Sequence, residues 1–268
     1  MNLEKYKRWM IANGLSSTTQ KAYINNISSF LTFSNEKITR ESIESYIVFL
    51  KEEKKLSAQA INQKRATIKS YLDFLDIAIK IPKAQKIIDK IPDTISRVEL
   101  EKKIIPFIHM EFFDAPEKPE AIIRLLFSCG LRPSELILLK RKQCNFDNKE
   151  WKFYRPKVKK EDILFLDDDL ILALRRYFLI EEEYKNAFNI GCSGIRRITS
   201  KIQKKFPEIK MRPTLLRHSC ATSLLEGGMS LIDIRDTLGH VKLSSTEKYL
   251  KVDISKRKEN FLKIRNKN

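Results

Sequence analysis

The sequence predicts a mostly α-helical protein with one small β-hairpin, divided into an N-terminal helical bundle and a larger mixed α+β domain. Three observations carry this. Apolar residues recur at helical spacing through most of the chain, with capping residues and glycines between the runs. One stretch, 149–155 followed by 161–166, instead alternates or runs apolar as two strands around the turn Pro156-Lys157-Val158-Lys159. A lysine-rich segment with Pro82 and Pro92 and little periodicity separates the two parts. The predicted division is a bundle over 1–78, a linker over 79–95 and a second domain over 96–268.

The bundle is read as four short helices. Residues 3–13 form an amphipathic segment ending at Gly14. Ser16 or Ser17 caps the next helix, with Tyr23, Ile27, Phe30, Leu31 and Phe33 on its apolar face. Thr39 caps a third, with Ile43, Tyr46, Ile47, Phe49 and Leu50 inward, and Ser57 caps a fourth built on Ile61, Ile68, Tyr71, Leu72, Phe74 and Leu75. Short loops make such neighbours pack antiparallel. The outer face of the fourth helix carries Gln59, Asn62, Gln63, Lys64, Arg65 and Lys69. That is chemistry suited to a DNA groove and equally to a solvated helix face.

In the second domain a helix is expected from Val98 through Ile108, then a proline-containing loop over 114–119. An apolar helix, 121–129, is stopped by Gly130, and Pro133 sits at the first position of another over 134–140. Arg132 therefore lies at a helix-to-helix joint. After the hairpin, the acidic run Asp167-Asp168-Asp169 reads as a helix start, since carboxylates favour the positive end of the helix dipole. That helix runs to Ile180, and another spans 191–205. The stretch 213–249 reads as three more helices: one stopped by Gly227-Gly228, one opened by Ser230 with Asp233 and closed by Gly239, and one opened by Ser244 with Glu247. Arg217, His240 and Tyr249 fall one to each part. The last 18 residues hold seven Lys or Arg, with Ile254, Phe261 and Ile264 as a sparse apolar stripe, the pattern of a C-terminal docking helix.

Composition narrows the partner. The chain has 268 residues, 42% hydrophobic, enough for a real core, and a net charge of +18. A basic chain of this kind points to a polyanion, most often nucleic acid. No stretch approaches the roughly 20 apolar residues of a membrane helix, so no membrane association is expected. The N-terminus lacks an apolar run followed by a cleavage site, and four scattered cysteines without a CxxC pair suit buried thiols in a reducing cytoplasm.

The sequence resembles the tyrosine recombinase (phage integrase, Xer-like) family. The resemblance rests on CysGlyLeuArgProSerGluLeu at 129–136, LeuLeuArgHisSerCysAlaThrSerLeuLeuGluGly at 215–227, LeuGlyHis at 238–240 and LeuSerSerThrGluLysTyr at 243–249, in family order. By it, Arg132 and Arg217 are the catalytic arginines, Lys157 the hairpin lysine, with Lys159 and Lys160 as competitors, His240 the histidine-or-tryptophan position and Tyr249 the nucleophile. Glu135 takes a supporting structural role, and His218 is read as structural. The N-terminal bundle resembles the family's core-binding domain, with Lys64, Arg65 and Lys69 as candidate DNA contacts. One position departs: three residues before the second arginine the family usually has histidine, and here it is Thr214, which can hydrogen-bond a phosphate oxygen but cannot titrate near neutrality.

The resemblance implies a site-specific DNA recombinase that acts through a covalent 3′-phosphotyrosine, without metal or other cofactor. Two guanidiniums stabilise the extra negative charge of the pentavalent transition state. Tyr249 attacks phosphorus, and Lys157 protonates the leaving 5′ oxygen. A C-shaped clamp on double-stranded DNA and a homo-tetramer exchanging C-terminal helices are implied as well. The resemblance leaves Xer-like recombination and mobile-element integration both open, and the short N-terminus leans towards a simple Xer-like system. Two other readings remain: a DNA-binding protein of the same fold weakened at Thr214, and a topoisomerase-like nicking-closing enzyme.

Overall fold

The structure, a computed structural model, describes residues 3–87, 92–180 and 186–240. The chain divides into two compact units, Met1–Asp89 and Lys90–Asn268. Helices dominate both, and the second unit adds a small antiparallel sheet, as the hydrophobic periods require.

The first unit is built from α1 (Leu3–Ala12), α2 (Ser17–Phe33), α3 (Arg40–Glu52) and α4 (Ala58–Leu75). Ser16 caps α2 by accepting from Thr19 N, Ser57 caps α4 by accepting from Ala60 N, and Thr39 forms a reciprocal capping box with Ser42. Tyr6, Met10, Ile27, Phe30, Ile43, Tyr46, Ile61 and Tyr71 fill the core. Phe33 stays partly exposed, its ring 4.8 Å from Phe49 and 5.1 Å from Tyr46.

The polar face of α4 is partly occupied by its own chain. The Asn62 amide donates to Gln85 O and accepts from Gln85 N, both at 2.8 Å, and Arg65 Nε donates to Pro82 O. Lys64 Nζ bonds Asn26 Oδ1 at 3.2 Å, while Lys69 is exposed. The segment through residue 87 thus runs pinned along α4, with Lys80, Lys83 and Lys86 outward.

In the second unit, the continuous helix expected from Val98 to Ile108 is broken into α5 (Arg97–Glu99), a π-helical turn (Leu100–Ile104) and α6 (Ile105–Glu111). Pro106 explains the break. It lacks an N–H and its ring crowds the carbonyl four residues back, so the preceding turn widens and Ile105 N–H reaches Leu100 O instead. Next, α7 (Glu117–Cys129) starts earlier than expected. Pro119 lies in its first turn, where a missing N–H costs nothing. By contrast α8 is short, Pro133–Leu136, and does not reach residue 140.

The hairpin is β2 (Glu150–Arg155) against β3 (Lys160–Phe165), and a short β1 (Cys144–Asn145), missed in the sequence, pairs with β2. Along β2 the burial alternates: Trp151, Phe153 and Arg155 inward, Lys152 and Tyr154 outward. The acidic run does open a helix, α9 (Asp168–Ile180), with Asp167 Oδ1 accepting from Leu170 N. Then follow α10 (Cys192–Lys205), α11 (Pro213–Glu226) and α12 (Leu231–Leu238). Ser230 caps α12 by accepting from Asp233 N.

Gly130, the residue that ends α7, is fixed by two demands. Its φ is +59°, and a Cβ there would come 2.5 Å from Leu238 Cδ2 and 3.1 Å from Cys220 Sγ. Gly130→Ala is expected to cost roughly 2–4 kcal/mol, the sum of left-handed strain and overpacking. Urea unfolding of the variant beside the unsubstituted protein measures it.

Candidate active site

Three arginines converge on the C-terminal end of α12. Helix geometry leaves the last carbonyls without intrahelical partners. Gly239 turns into the left-handed region at φ +62°, which lets Gly239 N bond Asp236 O at 3.0 Å and His240 N bond Arg235 O at 2.9 Å. The carbonyls of the last turn are taken by guanidiniums. Arg155 donates to Thr237 O (2.5 Å) and Leu238 O (3.1 Å), Arg217 to Leu238 O (2.6 Å), and Arg132 to Gly239 O (3.2 Å). Positive charge at a helix C-terminus is also favoured by the helix dipole. His240 leaves the helix directly from this fixed end.

Glu135 joins the three arginines. It lies one turn into α8, buried to 1% exposure, and folds back over the helix start. Its carboxylate accepts from Arg132 N (2.8 Å) and Arg132 Nη1 (2.7 Å), accepts from Arg155 Nη1 (3.4 Å), and lies 3.9 Å from Arg217 Nη1. Arg217 also donates to Gly130 O at 2.5 Å, so it bridges the ends of α7 and α12. Arg155 Nε reaches Asp162 of β3 at 2.5 Å.

Charge and exposure say what this cluster can do. Among the described residues its three guanidiniums outnumber the two carboxylates bonded to them, Glu135 and Asp162. The side chains of Arg155, Arg217 and Arg132 are 2%, 8% and 25% exposed, so Arg132 is the one that reaches the surface. A second arginine cluster, on α7, behaves differently. There Arg124 and Arg176 meet Glu101 and Glu120, with His109 also on Glu120, and the fixed charges balance. Burial pushes the Glu120 carboxyl up, but the bonds from Arg124 and His109 outweigh it and hold it below its ordinary value. The α7 cluster is a closed structural network, whereas the cluster at α12 holds one guanidinium more than its bonded carboxylates among the described residues.

The nearby thiols are not candidate nucleophiles. Burial raises Cys129 well above its ordinary value and pushes Cys220 to about 12 despite the neighbouring Arg217. Both stay protonated near neutrality.

Arg132, Arg217 and His240, predicted from separate motifs, are brought to one helix end. Lys157 is exposed in the four-residue loop that follows Arg155. Thr214 is exposed in the first turn of α11, three residues before Arg217 and so on the same face. Tyr249, the Ser244–Glu247 capping pair and the C-terminal docking helix lie outside the described residues. Arg155 was missed, and Glu135 proves to be the hub of the cluster. The alternation of β2 contained a signal for Arg155: it continues the inward series of Trp151 and Phe153, and an arginine at an inward position demands partners.

Comparison with known proteins decides the family. The sequence profile described as "Phage integrase family" matches residues 101–256, and that of the "Phage integrase, N-terminal SAM-like domain" matches residues 3–80. The chain belongs to the phage integrase family. Tyrosine recombinase XerA of Saccharolobus solfataricus is 25% identical over 268 residues, covering 95% of this chain and 89% of its own. A tyrosine recombinase of Pseudothermotoga lettingae is 29% identical, covering 89% of this chain and 88% of its own. Among solved structures, XerH site-specific recombinase in a post-cleavage complex with palindromic difH substrate superposes with a TM-score of 0.72, at 16% identity, over 94% of this chain and 81% of that one. The Tn1549 transposon integrase in complex with transposon right end DNA gives 0.70 at 15% identity over 98% of each chain. These likenesses establish the integrase fold for both units. Among the described residues no helix is long and apolar enough to cross a membrane.

Proposed function

We propose that this phage integrase family member is a site-specific DNA recombinase that cleaves and rejoins strands through a 3′-phosphotyrosine at Tyr249. The observation that carries the reading is the convergence of Arg132 and Arg217 on the end of α12, immediately before His240, in a cluster whose guanidiniums outnumber the carboxylates bonded to them among the described residues.

In this reading a scissile phosphate sits against Arg132 and Arg217, whose donors stabilise the charge that develops on the non-bridging oxygens. Glu135 keeps the guanidiniums apart and oriented. The Tyr249 hydroxyl, with an ordinary pKa of about 10, loses its proton to solvent water as its oxygen bonds to phosphorus. The P–O5′ bond breaks, and Lys157 supplies the proton that the departing oxygen needs. His240 donates a hydrogen bond to the phosphate. Reversal by a second strand's 5′ hydroxyl rejoins DNA, because the phosphotyrosine conserves the bond energy. The substrate is double-stranded DNA. Lys64, Arg65 and Lys69 are proposed backbone contacts, a homo-tetramer joined by C-terminal helices is the proposed working assembly, and the cytoplasm is the proposed location.

The test is incubation with a nicked suicide duplex carrying the cognate site, in EDTA. A covalent protein–DNA adduct is the expected result. No adduct on any substrate sinks the recombinase reading and leaves a DNA-binding module, while relaxation of supercoiled DNA without joined recombinants favours a nicking-closing enzyme. Thr214 supplies a further prediction. Thr214→His places a titratable group on the face of Arg217, and adduct formation at pH 7 should speed up by about a hundredfold, the low end of acid–base contributions. An unchanged rate means that no proton transfer is missing at this position.

A further inference from the structure

We propose that Arg155 is a positioning residue for strand cleavage: it locks the root of the β2–β3 hairpin to the end of α12, so that Lys157, two residues further on, is delivered to the phosphate held by Arg132 and Arg217. The inference rests on the proposed recombinase reaction and adds to it a part for a residue that none of the family motifs contains.

The argument is geometric. Arg155 is the last residue of β2, pairs with Lys160 across the hairpin and is 1% exposed. Its side chain spans three elements. Nε holds Asp162 on β3 (2.5 Å), Nη1 holds Leu238 O (3.1 Å) and Glu135 Oε1 (3.4 Å), and Nη2 holds Thr237 O (2.5 Å). The guanidinium also lies over the Phe153 ring, 4.7 Å from its centroid. Gly239 is part of the same fit: a Cβ there would lie 2.8 Å from Arg155 Cδ and Nη1. Such a fork uses the planar, multi-donor character of arginine, which a lysine ammonium cannot reproduce.

The structural arginine Arg124 bonds carboxylates, Glu101 and Glu120. Arg155 instead bonds the two groups whose relative position the reaction needs: the strand ends that carry the exposed 156–159 loop, and the helix end that Arg132 and Arg217 also grip. Lys157 is exposed. The loop root is thus the place where its reach is set. A general acid displaced by about 1 Å loses on the order of a hundredfold in rate. In the step concerned, the Tyr249 oxygen–phosphorus bond forms as the phenol proton passes to solvent water, the P–O5′ bond breaks, and the Lys157 proton moves to O5′.

The test exploits the leaving group. A suicide duplex is made with sulfur in place of the bridging 5′ oxygen. A thiolate, with a conjugate-acid pKa of about 8.5, leaves without protonation, so a defect confined to proton delivery disappears on it. Arg155→Gln is compared with the unsubstituted protein on oxygen and sulfur duplexes, with duplex affinity measured by gel shift. Arg155→Lys, which keeps the charge, is carried in parallel in case the glutamine variant fails to fold. The expected result is a loss of roughly tenfold to a hundredfold in adduct formation on the oxygen duplex, duplex affinity within about twofold, and near-complete recovery on the sulfur duplex. Arg155→Lys should show the same pattern at smaller amplitude. A defect of equal size on both duplexes, or none on the oxygen duplex, overturns the inference while leaving the recombinase reading intact. Absence of adduct with the unsubstituted protein on both duplexes overturns both.

Discussion

Arg217→Ala is expected to lower the rate of adduct formation by at least about a hundredfold to a thousandfold, the usual effect of deleting one pre-organised donor at developing negative charge. The structure argues that the loss will not be smaller. Arg217 is 7% exposed and bridges Gly130 O to Leu238 O, so alanine removes a charge from the site and also releases the ends of α7 and α12 from each other. Gly130 O then loses a donor, at about 1–3 kcal/mol, while Leu238 O keeps the one from Arg155. Arg217→Lys separates the contributions. It retains the charge but cannot reach both carbonyls from one ammonium, so it should remain far below the unsubstituted rate. Single-turnover cleavage on the suicide duplex, with unfolding measured in parallel, reads both parts. A rate within about threefold of normal for Arg217→Ala would falsify the assignment of this arginine to the phosphate.

Glu135→Gln is expected to give the largest loss of stability, about 3–5 kcal/mol, because it breaks a buried ion pair from one side. Glutamine preserves shape and one acceptor oxygen. What it removes is the negative charge against which Arg132, Arg155 and Arg217 are packed. Of the two carboxylates bonded to the cluster among the described residues, Asp162 then remains as counter-charge to the three guanidiniums. An anion that enters the site should compensate. Sulfate or duplex DNA is therefore expected to raise the unfolding midpoint of Glu135→Gln by more than that of the unsubstituted protein, since a ligand stabilises in proportion to its affinity for the native state. Equal stabilisation of both proteins would mean that the cluster does not hold the anion.

Local punctuation and period made most of the fold legible from sequence. Ser16, Thr39, Ser57 and Ser230 are caps because their hydroxyls satisfy N–H groups two or three residues on, information contained in a few adjacent residues. The errors have physical reasons too. Pro106 lies inside an apolar helical pattern that continues on both sides of it, yet its missing N–H opens the π-helical turn at Leu100–Ile104. The two-residue strand β1 is too short to show any alternation. At the site, Arg132, Arg217 and His240 were legible as motif residues, but what brings them together was not. The long-range bonds from Arg155 to Thr237 and Leu238 join residues more than eighty positions apart, and no local pattern encodes such a pairing. Nor does sequence distinguish the arginines of the neutral network on α7 from those at α12. The difference appears only when the carboxylates around each are placed.

In the proposed reaction the arginine cluster at the end of α12 serves a tyrosine that becomes covalently joined to DNA. The most direct measurement is to trap the adduct on a suicide duplex in EDTA, digest protein and DNA, and identify the modified peptide by mass spectrometry. A phosphonucleotide on Tyr249 and no adduct from Tyr249→Phe are the expected results. A phosphonucleotide on any other residue, or an adduct that persists in Tyr249→Phe, would contradict the proposed reaction.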